Sequence, residues 1–177
     1  MRTLGSTELK RLHRSWRRRT PGRVGLILDD VQNPFNVGAI IRTAAAFRVE
    51  DLWLVGSSET PAHEKVRKTA LGSERFVPYR SVDSIEQAIS EARARDYRIV
   101  GLELAESSTP IHQADLPGDT ALIAGHEDRG ISRRALAGCE EVVYIPQLGR
   151  IGSLNVAAAV AIATYELRRR RWASAED

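Results

Sequence analysis

Cysteine is almost missing from this chain. Of 177 residues only Cys139 carries a thiol, so no disulfide framework can form within it. A reducing, cytoplasmic setting is the expectation. Long hydrophobic runs are missing as well: the Ala-rich segment 156–164 is too short to span a bilayer. The N-terminal stretch is basic rather than apolar and holds no signal core. His13, His63, His112 and His126 are scattered without metal-ligand spacing, which argues against a metal site. No Gly-x-Gly-x-x-Gly fingerprint occurs, which points away from a Rossmann cofactor site. Internal repeats and long linkers are absent too.

What remains is the composition of one soluble domain, long enough to bury a real core. The net charge of +3 is small but unevenly spread. Lys10, Arg11, Arg14, Arg17, Arg18, Arg19 and Arg23 crowd one end, and Arg168, Arg169, Arg170 and Arg171 crowd the other. Clustered arginine suggests a phosphate-rich partner such as a nucleic acid; a solvated helix face accounts for the same residues without one.

Hydrophobic periodicity orders the rest. Residues 4–19 read as a short basic helix, with Leu9, Leu12 and Trp16 at helical spacing. Continuous apolar runs at 24–28, 52–55, 76–79, 98–104, 121–124 and 142–145 read as six strands. Helical patterns at 36–47, 63–71, 84–95, 132–137 and 154–171 separate or follow them. Such alternation predicts an α/β fold, a mainly parallel sheet with helices on both faces. Ligands in open α/β sheets gather beyond the carboxyl ends of the strands. The loops 29–36, 125–130 and 146–153 all follow strands, so they are expected on one edge.

Each of these loops carries polar groups at a helix mouth. In the first, Pro34 holds Asn33 extended, Asn36 is a good helix cap, and Gly38 allows close approach of another backbone. Arg42 shares a helix face with Gly38 and is placed to reach a phosphate. In the second, Gly125 and Gly130 bracket Glu127, whose carboxylate is expected to orient an arginine such as Arg42. In the third, Ser153 and Asn155 stand where a small-residue helix opens with free N–H groups. Taken singly, each loop is equally an ordinary capped turn.

Together and in this order, the segments resemble the SpoU/TrmH family of RNA ribose 2′-O-methyltransferases. The match runs Asn33-Pro-x-Asn36-x-Gly38-x-x-x-Arg42, then Gly125-x-Glu127-x-x-Gly130, then Ile145-Pro146-x-x-Gly149 with Ser153-Leu154-Asn155-Val156. The stretch Lys68 to Glu74 also looks like that family's middle region. The resemblance implies a deep C-terminal trefoil knot, a homodimer with its active site assembled across the interface, and S-adenosylmethionine as methyl donor. It places the donor against Leu102, Gly125, Ile145 and Leu154. Arg42 is the residue to which it gives a chemical role, as a base helped by a substrate phosphate. A guanidinium stays protonated in nearly all protein settings, so clamping phosphate and stabilising oxyanion charge is the firmer role. Asn36, Glu127, Ser153 and Asn155 would arrange substrate and donor around it.

The basic helix 1–20 is expected to contact RNA through Lys10, Arg11, Arg14, Arg17, Arg18 and Arg19. Residues 21–172 would form the methyltransferase domain and 173–177 a tail. A compact chain with a basic helix at each end resembles the tRNA guanosine 2′-O-methyltransferase branch more than the 23S rRNA branch. A non-catalytic RNA-binding module that keeps the fold is the other alternative. Cys139 reads as a buried small residue and Trp53 as core; Trp16 and Trp172 are open to base stacking.

Overall fold

The computed structural model describes residues 2–173, the last without its side chain. The expected tail therefore lies outside the described residues, apart from the Ala173 backbone. Seven strands form one sheet in the order β3-β2-β1-β6-β4-β7-β5, and every pairing is parallel. They are β1 (Val24–Asp29), β2 (Asp51–Val55), β3 (Tyr79–Val82), β4 (Arg98–Leu102), β5 (Thr109–Pro110), β6 (Thr120–Gly125) and β7 (Glu141–Tyr144). Among the described residues six α-helices accompany them: α1 (Ser6–Arg19), α2 (Pro34–Ala46), α3 (Glu64–Ala70), α4 (Ile85–Arg93), α5 (Arg133–Ala137) and α6 (Val156–Ala173).

The central strands are buried along their whole length, as their unbroken apolar sequences require. Strand period then divides their side chains between two cores. Leu26, Leu28, Leu52, Leu54 and Leu122 face α2, α3 and α6, where they meet Ile40, Ile41, Val66, Val160 and Leu167. Ile27, Trp53, Ile99 and Ile123 face α4 and α5, where they meet Ile85, Ile89 and Ala135. Trp53 is fully buried and its ring lies edge-on to Tyr97, so it is core, as expected. Truncating such a side chain costs about 3–5 kcal/mol.

Three expectations change in detail. The sheet has a seventh strand, β5, hidden in a polar loop; Pro110 lacks an N–H and is tolerated because this strand lies at the sheet edge. The strand expected at 76–79 starts later. Leu71 and Gly72 turn left-handed, and Ser73–Phe76 forms a 3-10 turn before β3. The C-terminal arginines mostly point inward. Arg168 is 1% exposed and donates to the carbonyls of Gly22, Phe47 and Arg48 and to the Glu50 carboxylate. Arg170 donates to the carbonyls of Ile111 and Ala114, and Arg171 to that of Gly118. These side chains fasten α6 to the body of the domain, so the run is not a free phosphate-binding cluster.

Strand order also locates the site. β1 lies between β2 and β6, so the chain reverses its direction of winding there. The loops leaving β1, β6, β4 and β7 therefore open at one edge of the sheet, where a crevice forms.

Candidate active site

The crevice is built from main chain. β6 ends at Gly125, where a Cβ would collide with the carbonyl of Gly130 and the nitrogen of Ile131, so only glycine fits. Gly130 has φ of 67° and closes the loop by pairing with His126 (His126 N to Gly130 O 3.1 Å, Gly130 N to His126 O 2.9 Å). The cleft beside it is walled by Leu102, Leu104, Ile145, Leu154 and Val156, with Glu103, His126, Glu127 and Ser153 at its polar edge. All four residues expected to hold a methyl donor, Leu102, Gly125, Ile145 and Leu154, thus line one cleft.

A polar chain runs along its side. The Glu127 carboxylate accepts from Asn36 Nδ2 at 2.9 Å, from the Asn33 amide at 3.0 Å and from the Gln32 amide at 3.3 Å. Asn155 Nδ2 donates to Asn36 Oδ1 at 2.9 Å, while Asn155 Oδ1 accepts from Ala157 N and caps α6. Glu127, Asn36 and Asn155, which are remote in sequence, thus become a single hydrogen-bonded row. Burial pushes the Glu127 carboxyl upward, but the bonds from Asn36 and the nearby main-chain amides outweigh it and hold it below the usual carboxylate range.

Two expected contacts differ. Asn33, not Asn36, caps α2: its Oδ1 accepts from Phe35 N and Asn36 N, with Pro34 in the first turn. Asn36 is one turn inside and 8% exposed, which turns its amide toward Glu127 and Asn155. Arg42 does not pair with Glu127. It stands on the side of α2 that carries Gly38, and that glycine packs against Val66 and Thr69 of α3. Residues six apart on a helix are rotated by about 240°, so Arg42 points away from the row that Asn36 joins. It is exposed, and among the described residues no hydrogen bond or ion pair occupies it. Ser153 is exposed at the cleft mouth.

Glu103 was missed from sequence. Its carboxylate accepts from the Ile131 and Leu104 amides at 3.0 Å each, holding the Gly130 turn against the end of β4. The available signal was an acid at the end of an otherwise apolar strand.

A family model described as the SpoU rRNA Methylase family matches residues 23–165. The chain belongs to this family. Among curated SpoU relatives, the 23S rRNA (guanosine-2′-O-)-methyltransferase RlmB of Acinetobacter baylyi is 34% identical over 147 residues, 82% of this chain and 59% of that protein. The AdoMet-bound rRNA methyltransferase of Sinorhizobium meliloti superposes with a TM-score of 0.79 at 31% identity, covering 84% of this chain and 57% of that one. The A. aeolicus TrmH/SpoU tRNA modifying enzyme superposes with a TM-score of 0.78 at 28% identity, covering 94% of this chain and 85% of that one. The chain spans about three fifths of the length of the first curated relatives it matches.

Proposed function

We propose that this SpoU protein is an RNA ribose 2′-O-methyltransferase that uses S-adenosylmethionine, and that tRNA is its substrate. The observation that carries this is the glycine-built cleft with the Glu127–Asn36–Asn155 row along its side. When bound, S-adenosylmethionine supplies an electrophilic methyl group on a sulfonium. The cleft suits that molecule: Leu102, Ile145 and Leu154 offer apolar walls for its base, and the Gly125 and Gly130 backbone admits close approach. Glu103 and Glu127 set negative charge beside a cationic ligand.

The chain's other residues would serve the ribose. Asn36 and Asn155, locked by their mutual bond, orient the nucleotide, and Ser153 faces it at the mouth. Arg42 clamps the adjacent phosphate and stabilises charge as the 2′-oxygen gives up its proton. Because Arg42 turns away from its own cleft, the reading gives it to the cleft of a second copy in a homodimer. The exposed apolar residues Ile162 on α6, and Leu148 and Ile151 in the 146–153 loop, support such a partner.

The reading includes a methyltransferase domain over residues 21–172, an RNA-contacting helix over 1–20 and a cytoplasmic setting. It also includes a C-terminal trefoil knot, a reading supported by Gln147, Gly152, Ser153 and Leu154 lining one cleft with the ends of β4 and β6. No helix among the described residues is long and apolar enough to cross a membrane. The tRNA choice is supported by the likeness to the A. aeolicus tRNA modifying enzyme. The RlmB relatives favour rRNA as the second reading.

The test is incubation with methyl-labelled S-adenosylmethionine and separated tRNA and rRNA pools, followed by mapping of the label. Label at one ribose 2′-oxygen is expected, in the tRNA pool. Label in rRNA would select the second reading, and no binding of the donor would remove both.

A further inference from the structure

We propose that the groove between α1, the end of α2 and the end of α6 is a second RNA-docking site, which takes one unstacked nucleobase from a single-stranded segment. The groove has a volume of about 550 Å³ and is bordered by Trp16, Phe47, Phe76 and Trp172. This lies well apart from the glycine-built cleft, and the two share no lining residue.

Its aromatic wall is held in place. Trp172 Nε1 donates to Thr20 Oγ1 at 2.8 Å, and Thr20 Oγ1 donates to the Trp16 carbonyl at 2.6 Å. The Trp16 and Trp172 rings meet at 5.3 Å, Trp172 meets Tyr165 at 5.6 Å, and Tyr165 meets Phe47 at 6.0 Å. Phe76 also borders the groove; it is 73% exposed, and its ring contact is with the Arg75 guanidinium, 5.8 Å from the centroid. A fixed aromatic wall and a solvent-facing phenyl ring bordering one groove offer faces on which a flat base can stack. Any base has a face to stack, so such a site tolerates sequence.

The charge beside it selects the partner. Lys10, Arg11, Arg14, Arg17 and Arg18 on α1 are all exposed, and among the described residues no ion pair or hydrogen bond from their side chains occupies them. The single acid of that helix, Glu8, is already paired with Arg2. His13 and Arg17 reach the groove itself. An aromatic slot flanked by unpaired cations suits a nucleotide, whose base is apolar in face and whose phosphate is anionic. An apolar protein segment would leave those cations without partners.

The inference rests on the RNA reading of the cleft, and the experiment separates the two. Tryptophan fluorescence is followed while the protein is titrated with a short single-stranded oligoadenylate, and separately with a blunt A-form duplex. Trp16 and Trp172 report from the groove, whereas Trp53 is buried in the core, out of a ligand's reach, and gives a constant background. Quenching by the single strand and not by the duplex is expected. Phe76→Ala should weaken that binding by about tenfold, within the range of one lost base–aromatic stack. The same variant should raise KM for substrate RNA while leaving kcat and S-adenosylmethionine binding unchanged. Trp16→Phe, which keeps an aromatic ring, should retain most of the affinity.

Wild-type affinity for the single strand in Phe76→Ala would overturn the docking site, even if the protein methylates RNA normally. So would a fluorescence change that depends on protein concentration without RNA, since a second copy would then fill the groove. Failure of S-adenosylmethionine to bind the wild type would sink the methyltransferase reading instead, and unaltered quenching by the single strand would keep the groove as an RNA site.

Discussion

Replacing Gly125 by alanine should close the cleft and destabilise the domain together. The added methyl would overlap the Gly130 carbonyl and the Ile131 amide by about an ångström or more, against a normal contact of about 3.5–4.0 Å. Both obstacles are backbone, so no side chain can swing aside. The 126–131 turn must move, and it is held by the paired bonds between His126 and Gly130 and by the Glu103 carboxylate on Ile131. Losing two neutral bonds at about 1 kcal/mol each and one to a charged group at about 1.5–3 kcal/mol gives roughly 3–5 kcal/mol. For a domain of this size that lowers Tm by roughly 6–20 °C. The control lies in the same cleft: a Cβ at Gly152 meets nothing within 4 Å. Gly152→Ala should stay within about 0.5 kcal/mol of the wild type. Thermal unfolding of the pair, with donor calorimetry beside it, gives the comparison. A Gly125→Ala variant that melts and binds like Gly152→Ala would refute the claim that backbone contact requires this glycine.

Other consequences follow from the same geometry. Glu127→Gln turns an amide toward the Gln32 N–H and should cost about 1–2 kcal/mol in urea unfolding at neutral pH. Because the folded carboxyl lies below its unfolded value, its contribution is present above about pH 4.3 and lost as pH falls through the folded pKa. The variant's stability should therefore vary less than the wild type's across that acid range, and parallel curves would contradict the assignment. Arg168→Met leaves the carbonyls of Gly22, Phe47 and Arg48 without their donor, while Glu50 keeps Arg48 and the Val24 amide, and should cost about 3–5 kcal/mol, whereas Arg169→Ala, which loses only exposed contacts with Glu166, should be near neutral in the same denaturation assay. Cys139 is half-buried rather than buried, and desolvation pushes its thiol up to about 12, so a thiol reagent should modify it more slowly in the native protein than after denaturation; equal rates would contradict its placement.

Much of this architecture was legible because burial writes itself into local sequence. The apolar runs of β1, β2 and β6 read as strands covered on both faces, and the helical patterns begun at Ser84 and Ser132 became α4 and α5, which those two serines cap. β5 was not legible, since two residues paired at an edge need no hydrophobic pattern. The arginines at the chain's end looked like a phosphate site because sequence shows charge and not direction. In three dimensions, Arg168 turns inward to carbonyls of the turns beside β1 and α2. At the cleft, glycines and loop order marked where the site lies. Which donor meets Glu127 depended on the rotation of α2, and Asn33 took the capping role that would have left Asn36 unable to reach it. Glu103 escaped notice because its partners are main-chain amides, which sequence does not display.

The central claim is that the cleft binds the donor while Arg42, from outside it, acts on the RNA. The most direct measurement is Arg42→Ala tested in parallel for S-adenosylmethionine affinity by calorimetry and for methyl transfer to RNA. The account predicts an unchanged donor Kd and a transfer rate reduced by about a hundredfold or more. Full transfer activity, or donor binding lost together with activity, would contradict it.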